Sequence, residues 1–584
     1  MNTPLISGKP GRLRVFIGMT GDVDGVPALV RLEGTSSSGT LPVIESEFSV
    51  RNTPKDQAEE FYHPVDFDLP SEYLQSGVSI KITLDPNNDL GDTNASNNAY
   101  PSSGYKALNF VNEPNLRIRF VPFSVEGGDN SELNVESIKN QLEEYLKAMY
   151  PNSADNIQFE YIDRLPDNRT TTDNYTNYSG ALSDVDVFRD LDKDVNGSED
   201  DIFYYGLWTG GETPTQFEAR IGVKTAGLAY TLREYTWDNG SFAYYGYGEA
   251  LSGIGLVFPD YVEETAAHEI GHNHNLPHVS CDDETNESTP PVADGPDDFY
   301  PYNSFPTGNG TSDNTTGGND DFGRIGKVGY DFRNGNYVSK TLYHDIMSYC
   351  TRLWISDYHY NKLHNFQLAL NSALGIASMN MGGVADGSSN SQAYARTVAD
   401  TPVTNIVNGT YINGLLSEDG TIEIRNTLLM SKRVRDLPNG PYEYLAQTVN
   451  GEIYQGYFFT IKADHSRTEA FKFMVPTQQP LQRLQILRTS DGQQLFLEDF
   501  GTAASARSTA RPVLQLERIS ATQWKIPATN QGRRIVRRLA PQNKVLIFDL
   551  DKEDKTIEGI EGETIEIQYQ PGPGQVERLL IELQ

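Results

Sequence analysis

This sequence lacks long apolar runs, has fewer basic than acidic residues, and contains few cysteines. No stretch is long and apolar enough to cross a membrane, and residues 1–11 contain no hydrophobic signal core. Lys and Arg number 47 against 80 Asp and Glu, and the net charge is -33, so we expect repulsion from nucleic acid and from anionic membrane surfaces. The 2 cysteines allow one intramolecular disulfide at most.

Length and composition indicate several β-rich domains. A chain of 584 residues is too long for a single hydrophobic core. A hydrophobic content of 37%, with many Tyr, Asn, Thr and Gly residues, is typical of extracellular β domains joined by turns. We therefore expect a secreted, extracellular protein, and we expect it to be a monomer.

The main chemical signal lies in residues 268–278. On a helix, His268 and His272 are one turn apart and project from the same face, so two imidazole nitrogens can meet one metal ion. Glu269 lies beside them, in the H-E-x-x-H arrangement in which two histidines hold zinc and the glutamate acts on a water molecule at the metal. The alternative is a solvated helix with incidental histidines.

A third histidine, His278, follows His272 by only six residues, so the chain must bend to bring it to the same metal. Asn275 can supply the bend, because Asn is the best substitute for Gly in the left-handed conformation that ends many helices. Pro277 then prevents the helix from continuing. Three neutral nitrogen ligands and one open position are typical of a catalytic zinc site.

These residues resemble the metzincin signature H-E-x-x-H-x-x-G-x-x-H, with Asn275 in place of the usual Gly. Metzincins carry a second motif downstream, a tight turn with a Met beneath the metal. Residues 344–350 resemble that turn, with Met347 in it and Tyr349 two residues later. The appended modules make the chain most similar to bacterial secreted multidomain metzincins, including mucinase-like relatives.

The resemblance implies a zinc endopeptidase in which three side chains hold Zn²⁺, namely His268, His272 and His278. Glu269 would take a proton from the water at the metal and pass it to the leaving amine. Tyr349 would hydrogen-bond the oxyanion or ligate the resting zinc, and its alternative is a packed aromatic side chain. Met347 would form a hydrophobic floor, whereas His274 and His344 are expected to be structural.

The two cysteines lie close to these motifs in the sequence. Cys281 comes three residues after His278, and Cys350 comes three residues after Met347. If both motifs surround one metal, the two sulfurs come from segments that approach each other, so we expect a Cys281–Cys350 disulfide. Such a bond favours an oxidising compartment. The alternative is two separate buried thiols.

The predicted fold class is α+β, with a metzincin-like protease domain flanked by all-β, immunoglobulin-like sandwich domains. In the protease domain, a twisted sheet would pack against the active-site helix. The predicted domains are a β-sandwich accessory domain at 1–112, the catalytic domain at 113–380, a second β-sandwich at 393–507 and a C-terminal β domain at 508–584. Residues 382–392 are interpreted as a linker.

By the same resemblance, residues 227–230 match the edge strand that lies above the metal in metzincins. An open strand edge can pair with an extended peptide backbone. Gly227, Leu228 and Ala229 are therefore candidate substrate-binding residues. The alternative is an interior strand.

A second metal ion is suggested by residues 192–197, which copy the first half of a calcium loop. The twelfth position of that loop is Phe203, where a bidentate Glu is needed. An acidic surface turn is the better interpretation, and Ca²⁺ is left open beside Zn²⁺.

The leading hypothesis is a zinc endopeptidase that acts on extracellular proteins or glycoproteins. An alternative is a glycan- or surface-binding adhesin with a metzincin-like scaffold, but a scaffold without activity has no need of Glu269. A further alternative is a gluzincin-type hydrolase with a distant Glu as third ligand, and His278 argues against it.

Overall fold

The computed structural model describes most of the chain, with gaps. The described residues are 3–17, 25–50, 64–92, 94–113, 115–126, 135–162, 165–170, 175–192, 201–209, 226–231, 234–236, 242–244, 251–257, 261–279, 297, 299–302, 323–373, 404–435, 440–463, 466–500, 516–529, 533–539, 544–549, 554–572 and 575–584.

The N-terminal part is built from short strands around a small apolar core. Residues Ala28, Val30 and Leu32 alternate with less buried neighbours along the longest strand, as expected for a sheet with one buried face. A sheet of order β4-β3-β7-β8, with β5 on β3 and β9 on β7, accompanies the pairs β2-β6 and β1-β10. The strands are β1 Leu5–Ile6, β2 Arg12–Val15, β3 Val26–Ser36, β4 Gly39–Thr40, β5 Ile44–Val50, β6 Val65–Asp68, β7 Ser79–Leu84, β8 Ala99–Tyr100, β9 Lys106–Ala107 and β10 Phe110–Val111.

The candidate site lies beside a six-stranded sheet of order β12-β11-β14-β18-β15, with β13 also on β11. Pairing is parallel except between β15 and β18. Three small pairs, β16-β17, β19-β20 and β21-β22, lie outside it. The strands are β11 Leu116–Glu126, β12 Ile157–Tyr161, β13 Leu165–Thr170, β14 Ile202–Thr209, β15 Gly227–Ala229, β16 Glu234–Thr236, β17 Phe242–Tyr244, β18 Ser252–Leu256, β19 Gly329–Asp331, β20 Asn336–Val338, β21 His344–Asp345 and β22 Leu353–Trp354.

The α-helices of the described chain all fall in this central part. Helix α1 buries Ile138, Leu142 and Leu146, which recur at helical spacing, and packs against α3. Helix α3 also packs against β18 and β15, and α2 packs against β14 and β18. The helices are α1 Val135–Met149, α2 Tyr175–Asp192, α3 Val262–Asn273 and α4 Asp357–Ala373. The 3₁₀ turns Ser71–Tyr73 and Ala95–Asn97 lie in the N-terminal part.

Downstream, residues 404–500 form two four-stranded sheets of order β24-β23-β28-β27 and β26-β25-β29-β30. Side chains from both sheets share one core, for example Ile412 and Phe473 from the first and Tyr444 and Ile486 from the second. We call this unit the downstream sandwich. Its strands are β23 Thr404–Ser417, β24 Ile422–Arg435, β25 Tyr442–Thr448, β26 Ile453–Phe458, β27 Thr460–Lys462, β28 Thr468–Val475, β29 Leu481–Arg488 and β30 Gln494–Asp499.

The C-terminal part contains sheets of order β31-β32-β35 and β34-β33-β36-β37 around a core that includes Trp524, Ile567 and Tyr569. Its strands are β31 Glu517–Arg518, β32 Gln523–Ile526, β33 Arg533–Arg538, β34 Lys544–Asp549, β35 Lys555–Glu558, β36 Thr564–Gly572 and β37 Gln575–Glu582.

The predicted domain ranges can be set beside these sheets. Each described strand pair lies within one of the four ranges. An isolated bridge between Tyr230 and Ala463 joins the second range to the third. The boundaries themselves stay predictions, and the predicted linker at 382–392 lies outside the described residues.

The predicted α+β fold class is wrong. The described part of the chain is 47% strand and 16% helix, arranged in many small sheets, which is a predominantly β protein rather than an α+β metzincin-like one. The described α-helices all lie in the region that carries the motifs. The β-rich parts on both sides of it contribute most of the regular structure. No helix among the described residues has the length and apolarity that a membrane span requires.

Candidate metal centre

Helix α3 carries His268, Glu269 and His272 on buried positions near its C-terminal end. The helix ends at Asn273, and Asn275 has a φ of 61°, in the left-handed region. The Leu276 amide donates back to the Gly271 carbonyl at 3.1 Å, so the chain reverses sharply. This reversal returns His278 to the two helical histidines.

The three histidines meet through their Nε2 atoms. The His268–His272 and His272–His278 separations are both 3.1 Å, and the His268–His278 separation is 3.2 Å. A tetrahedral zinc ion with Zn–N bonds of about 2.0–2.1 Å holds its nitrogen ligands about 3.3 Å apart. The triangle therefore fits the base of a tetrahedral site with three protein ligands, which leaves the fourth position for water or substrate.

Backbone carbonyls fix the orientation of two of these rings. His268 Nδ1 lies 2.7 Å from the Ile346 carbonyl oxygen, and His272 Nδ1 lies 2.8 Å from that of Leu276. A carbonyl can only accept, so each Nδ1 carries the proton and each Nε2 keeps its lone pair. Such contacts are the usual way in which proteins orient metal-binding imidazoles.

We expect Asn275→Ala to lower the free energy of unfolding by about 1 kcal/mol, because a Cβ without a hydrogen-bonding side chain is strained in the left-handed region. Asn275→Gly should retain the stability of the wild type, since Gly adopts this conformation freely. Urea denaturation of the metal-free proteins measures both values. An Ala variant as stable as the Gly variant would show that the turn does not depend on this conformation.

The Met turn lies directly under helix α3. Met347 is fully buried, and a Cβ built on Gly271 would lie 2.7 Å from its sulfur. The Val279 amide donates to the Met347 carbonyl at 3.0 Å, which joins the ligand turn to the Met turn. Gly271 is thus needed for the close approach of the helix, and Met347 has the position of the predicted hydrophobic floor.

The Met turn is held by a carboxylate that no sequence motif indicates. Asp345 is completely buried and accepts hydrogen bonds from the Met347 amide at 2.8 Å, the Ser356 amide at 3.0 Å and His359 Nδ1 at 2.7 Å. Burial works to raise the pKa of Asp345, but the neighbouring His359 and these hydrogen bonds outweigh it and hold the pKa below its usual range. Asp345 therefore fixes the carbonyl to which His268 is bound.

A second missed carboxylate supports His278. The Asp297 amide donates to the His278 carbonyl at 2.8 Å, while its buried side chain accepts from Lys362 Nζ at 2.7 Å and from Tyr358 Oη at 2.9 Å. Both of these donors belong to helix α4. His278 is thus held in place by helix α4 as well as by the turn.

Tyr349 reaches the ligand cluster. Its hydroxyl lies 2.6 Å from His278 Nε2, and its side chain is 39% exposed. The hydroxyl is therefore within hydrogen-bond distance of a nitrogen of the cluster, on a residue that is partly exposed. The roles of oxyanion donor and resting ligand stay predictions.

Glu269 packs against the predicted substrate strand. Among the described strands, β15, which contains Gly227, Leu228 and Ala229, ends the sheet order and pairs with β18, and all three of its residues are buried. A Cβ built on Gly227 would lie 2.6 Å from Glu269 Cδ. The carboxylate of the predicted base thus lies beside the backbone of the edge strand.

The remaining histidines of the two motifs lie outside the triangle. His274 is buried, stacks on Phe203 with ring centroids 4.4 Å apart, and bonds the Ile270 carbonyl through Nδ1 at 2.7 Å. Burial lowers the pKa of His274 to about 4. His344 bonds the Thr351 carbonyl through Nδ1 at 2.8 Å.

Two further predictions fall partly outside the described residues. Cys281 is not described, so the disulfide with Cys350 stays a prediction. Of the proposed calcium loop, residues 193–197 are not described, and Asp192 accepts a hydrogen bond from Tyr204 at 2.9 Å. The described part of the site therefore includes neither the disulfide nor a calcium loop.

The chain matches no protein-family model and no curated protein. The proposed function therefore depends on the geometry of the three histidines and on the two motifs.

Proposed function

We propose that this chain is a secreted, zinc-dependent endopeptidase that hydrolyses peptide bonds of extracellular proteins or glycoproteins. The observation that carries the proposal is the triangle of three Nε2 atoms 3.1–3.2 Å apart, with Glu269 next in sequence to one of the ligands. The Met turn beneath this triangle supports the resemblance to metzincins at the level of the motifs.

The histidine triangle would hold Zn²⁺ through nitrogen atoms. A bound Zn²⁺ supplies Lewis acidity, which polarises a carbonyl group and makes a water molecule more acidic. Since the three ligands are neutral, a bound ion would keep its full charge. The carbonyl partners of His268 and His272 would hold the Nε2 lone pairs of the two rings toward that ion.

Glu269 is the proposed general base. It takes the proton of the attacking water and then gives it to the nitrogen of the leaving group, which needs a carboxylate held within reach of both. Tyr349 is proposed to donate a hydrogen bond to the oxygen of the scissile carbonyl as negative charge develops there. Its hydroxyl, 2.6 Å from His278 Nε2, is close enough to the ligand cluster for that role.

The substrate is proposed to bind as an extended peptide along β15. An edge strand presents backbone groups that can pair with another chain, and side-chain pockets are not needed for that alignment. Gly227 at the start of this strand contacts Glu269, so a peptide paired with the strand would pass beside the base.

The test is metal-dependent cleavage. Purified protein should contain about one zinc per chain by elemental analysis. It should cleave casein or a glycosylated mucin, lose activity with 1,10-phenanthroline, and regain it when ZnCl₂ is added. Cleavage that is insensitive to the chelator would overturn the metal mechanism. Glycan binding without cleavage of either protein would favour the adhesin.

A further inference from the structure

The downstream sandwich is packed into the candidate catalytic region rather than tethered to it. Side chains of its first sheet, such as Tyr411, Leu415 and Met474, belong to the same hydrophobic core as Ile254 of β18 and Ile270 of α3. A module that serves only as a spacer has its own core and a small polar contact with its neighbour. The downstream sandwich therefore shares its core with the strand and the helix that carry the candidate site.

One connection is made at the end of the predicted substrate strand. Tyr230, directly after β15, forms an antiparallel bridge with Ala463 of the downstream sandwich. The amide of the next residue, Thr231, donates to the Lys462 carbonyl at 3.2 Å. Strand β15 is only three residues long, and a strand this short frays unless its ends are held. The sandwich holds one of those ends.

A second connection runs through a buried ion pair. Lys472 of β28 extends its amine to Asp186 of α2, at 2.7 Å, and to Asp190, at 3.1 Å. The other carboxylate oxygen of Asp186 accepts from Ser252 Oγ, at the start of β18, at 3.1 Å. Asp186 and Ser252 are both fully buried. Removing the cationic partner of a carboxylate buried in this way leaves a buried charge without compensation and destabilises its surroundings.

The two connections converge on the residue that follows a metal ligand. Asn273, next to His272, donates from its side-chain amide to the carbonyls of Tyr230 and Ser252, each at 2.9 Å. The buried side-chain amide of Asn273 therefore joins the C-terminal end of helix α3 to the segments that contain β15 and β18. Both strands are in turn held by the downstream sandwich.

We propose that the downstream sandwich is an integral part of the catalytic unit and that Lys472 is a positioning residue. Through Asp186 and Ser252, Lys472 fixes β18 and with it the edge strand that aligns the substrate. The kinetic part of this inference depends on the proposed peptidase function, but the structural part does not.

The test compares two buried lysines that differ in what their partners touch. Lys472→Met leaves Asp186 without its cation and should loosen Ser252 and β15. Lys432→Met is the matched control, because Lys432 is also mostly buried and pairs with Asp190 at 2.6 Å, and Asp186 keeps its bond to Lys472 in that variant. Ser252→Ala removes the same connection from the other side without leaving an unpaired charge, and it decides the question if Lys472→Met does not fold.

The first measurement is hydrogen exchange of the metal-free proteins. The Tyr230 amide, which donates to the Ser252 carbonyl at 3.1 Å, reports on the edge strand. We expect its exchange to be roughly tenfold faster in Lys472→Met and Ser252→Ala and unchanged in Lys432→Met. Equal acceleration in both lysine variants would mean general destabilisation, and no acceleration in Lys472→Met would also overturn the proposal.

The second measurement is the kinetics of peptide cleavage. A loosened edge strand should raise KM roughly three- to tenfold and leave kcat nearly unchanged, since the ligands and Glu269 remain in place. A fall in kcat with an unchanged KM would contradict the positioning role. If no variant and no wild type cleaves, the proposed function fails, whereas the exchange result still decides whether the sandwich holds the strand.

Discussion

Glu269→Gln should lower kcat by roughly 10²- to 10⁴-fold, the range that a general base contributes. Gln has nearly the same shape as Glu but cannot accept the proton of the attacking water. The substitution therefore removes the proton transfer and leaves the packing of helix α3 intact. Initial rates on casein or on a fluorogenic peptide, with zinc in excess, give the loss in kcat.

Zinc content distinguishes this prediction from the loss of the metal site. Glu269 is not part of the nitrogen triangle, so Glu269→Gln should bind the same amount of zinc as the wild type. Its melting temperature should also stay within a few degrees. A variant that loses zinc together with activity would assign Glu269 a structural role instead.

Glu264→Gln is the matched control, one and a half turns earlier on the same helix. Burial, followed by the neighbouring charge of Glu263, raises the pKa of Glu264 to about 7. Glu264 thus has the perturbed pKa that often marks a catalytic acid, yet it is not among the residues gathered at the metal centre. We expect its substitution to leave kcat unchanged. Similar losses in both variants would contradict the assignment of the base.

The clustering of the three histidines could be predicted from the sequence because its geometry is local. Helical periodicity alone puts His268 and His272 on one face, and the left-handed Asn275 brings back His278 within six residues. The Met turn lies about seventy residues further on, and no spacing rule reaches that far. Only the resemblance to metzincins predicts this turn.

The supporting residues could not be predicted, because they depend on contacts between distant segments. His359 is one of two histidines in α4, and its contact with Asp345 exists only once α4 packs against the Met turn. Asp297 lies within a polar stretch, residues 282–321, whose composition predicts an irregular surface loop and does not single out one aspartate. Such residues have no local signature, since a buried and a solvated aspartate look alike in a sequence.

The packing of α2 against the downstream sandwich has no local signal in the sequence. Asp184, Asp186 and Asp190 would ordinarily predict a solvated helix face, as acidic residues are rarely buried unless they are paired. Their partners come from strands more than two hundred residues away. The β-rich composition predicted the sheets, but it could not predict against which helix one of them packs.

Gly227→Ala should lower kcat/KM by roughly 10²-fold, because displacing a catalytic group by about 1 Å is enough for such a loss. The added Cβ would lie 2.5 Å from Glu269 Cγ and 2.6 Å from its Cδ, so either the carboxylate or the edge strand must move. Gly253→Ala, on the neighbouring strand, is the control, because its Cβ would meet nothing closer than 3.3 Å. Steady-state kinetics of both variants give the comparison.

A double-mutant cycle shows whether Gly227 acts through Glu269. If the new methyl group displaces the base, Glu269→Gln should cost less in the Gly227→Ala background than in the wild type, since the base is already out of place. Additive losses would instead mean that Gly227→Ala damages substrate alignment alone. Either result separates the two ways in which this strand can serve the reaction, because the contact with Glu269 and the pairing with the peptide use different atoms of the same residue.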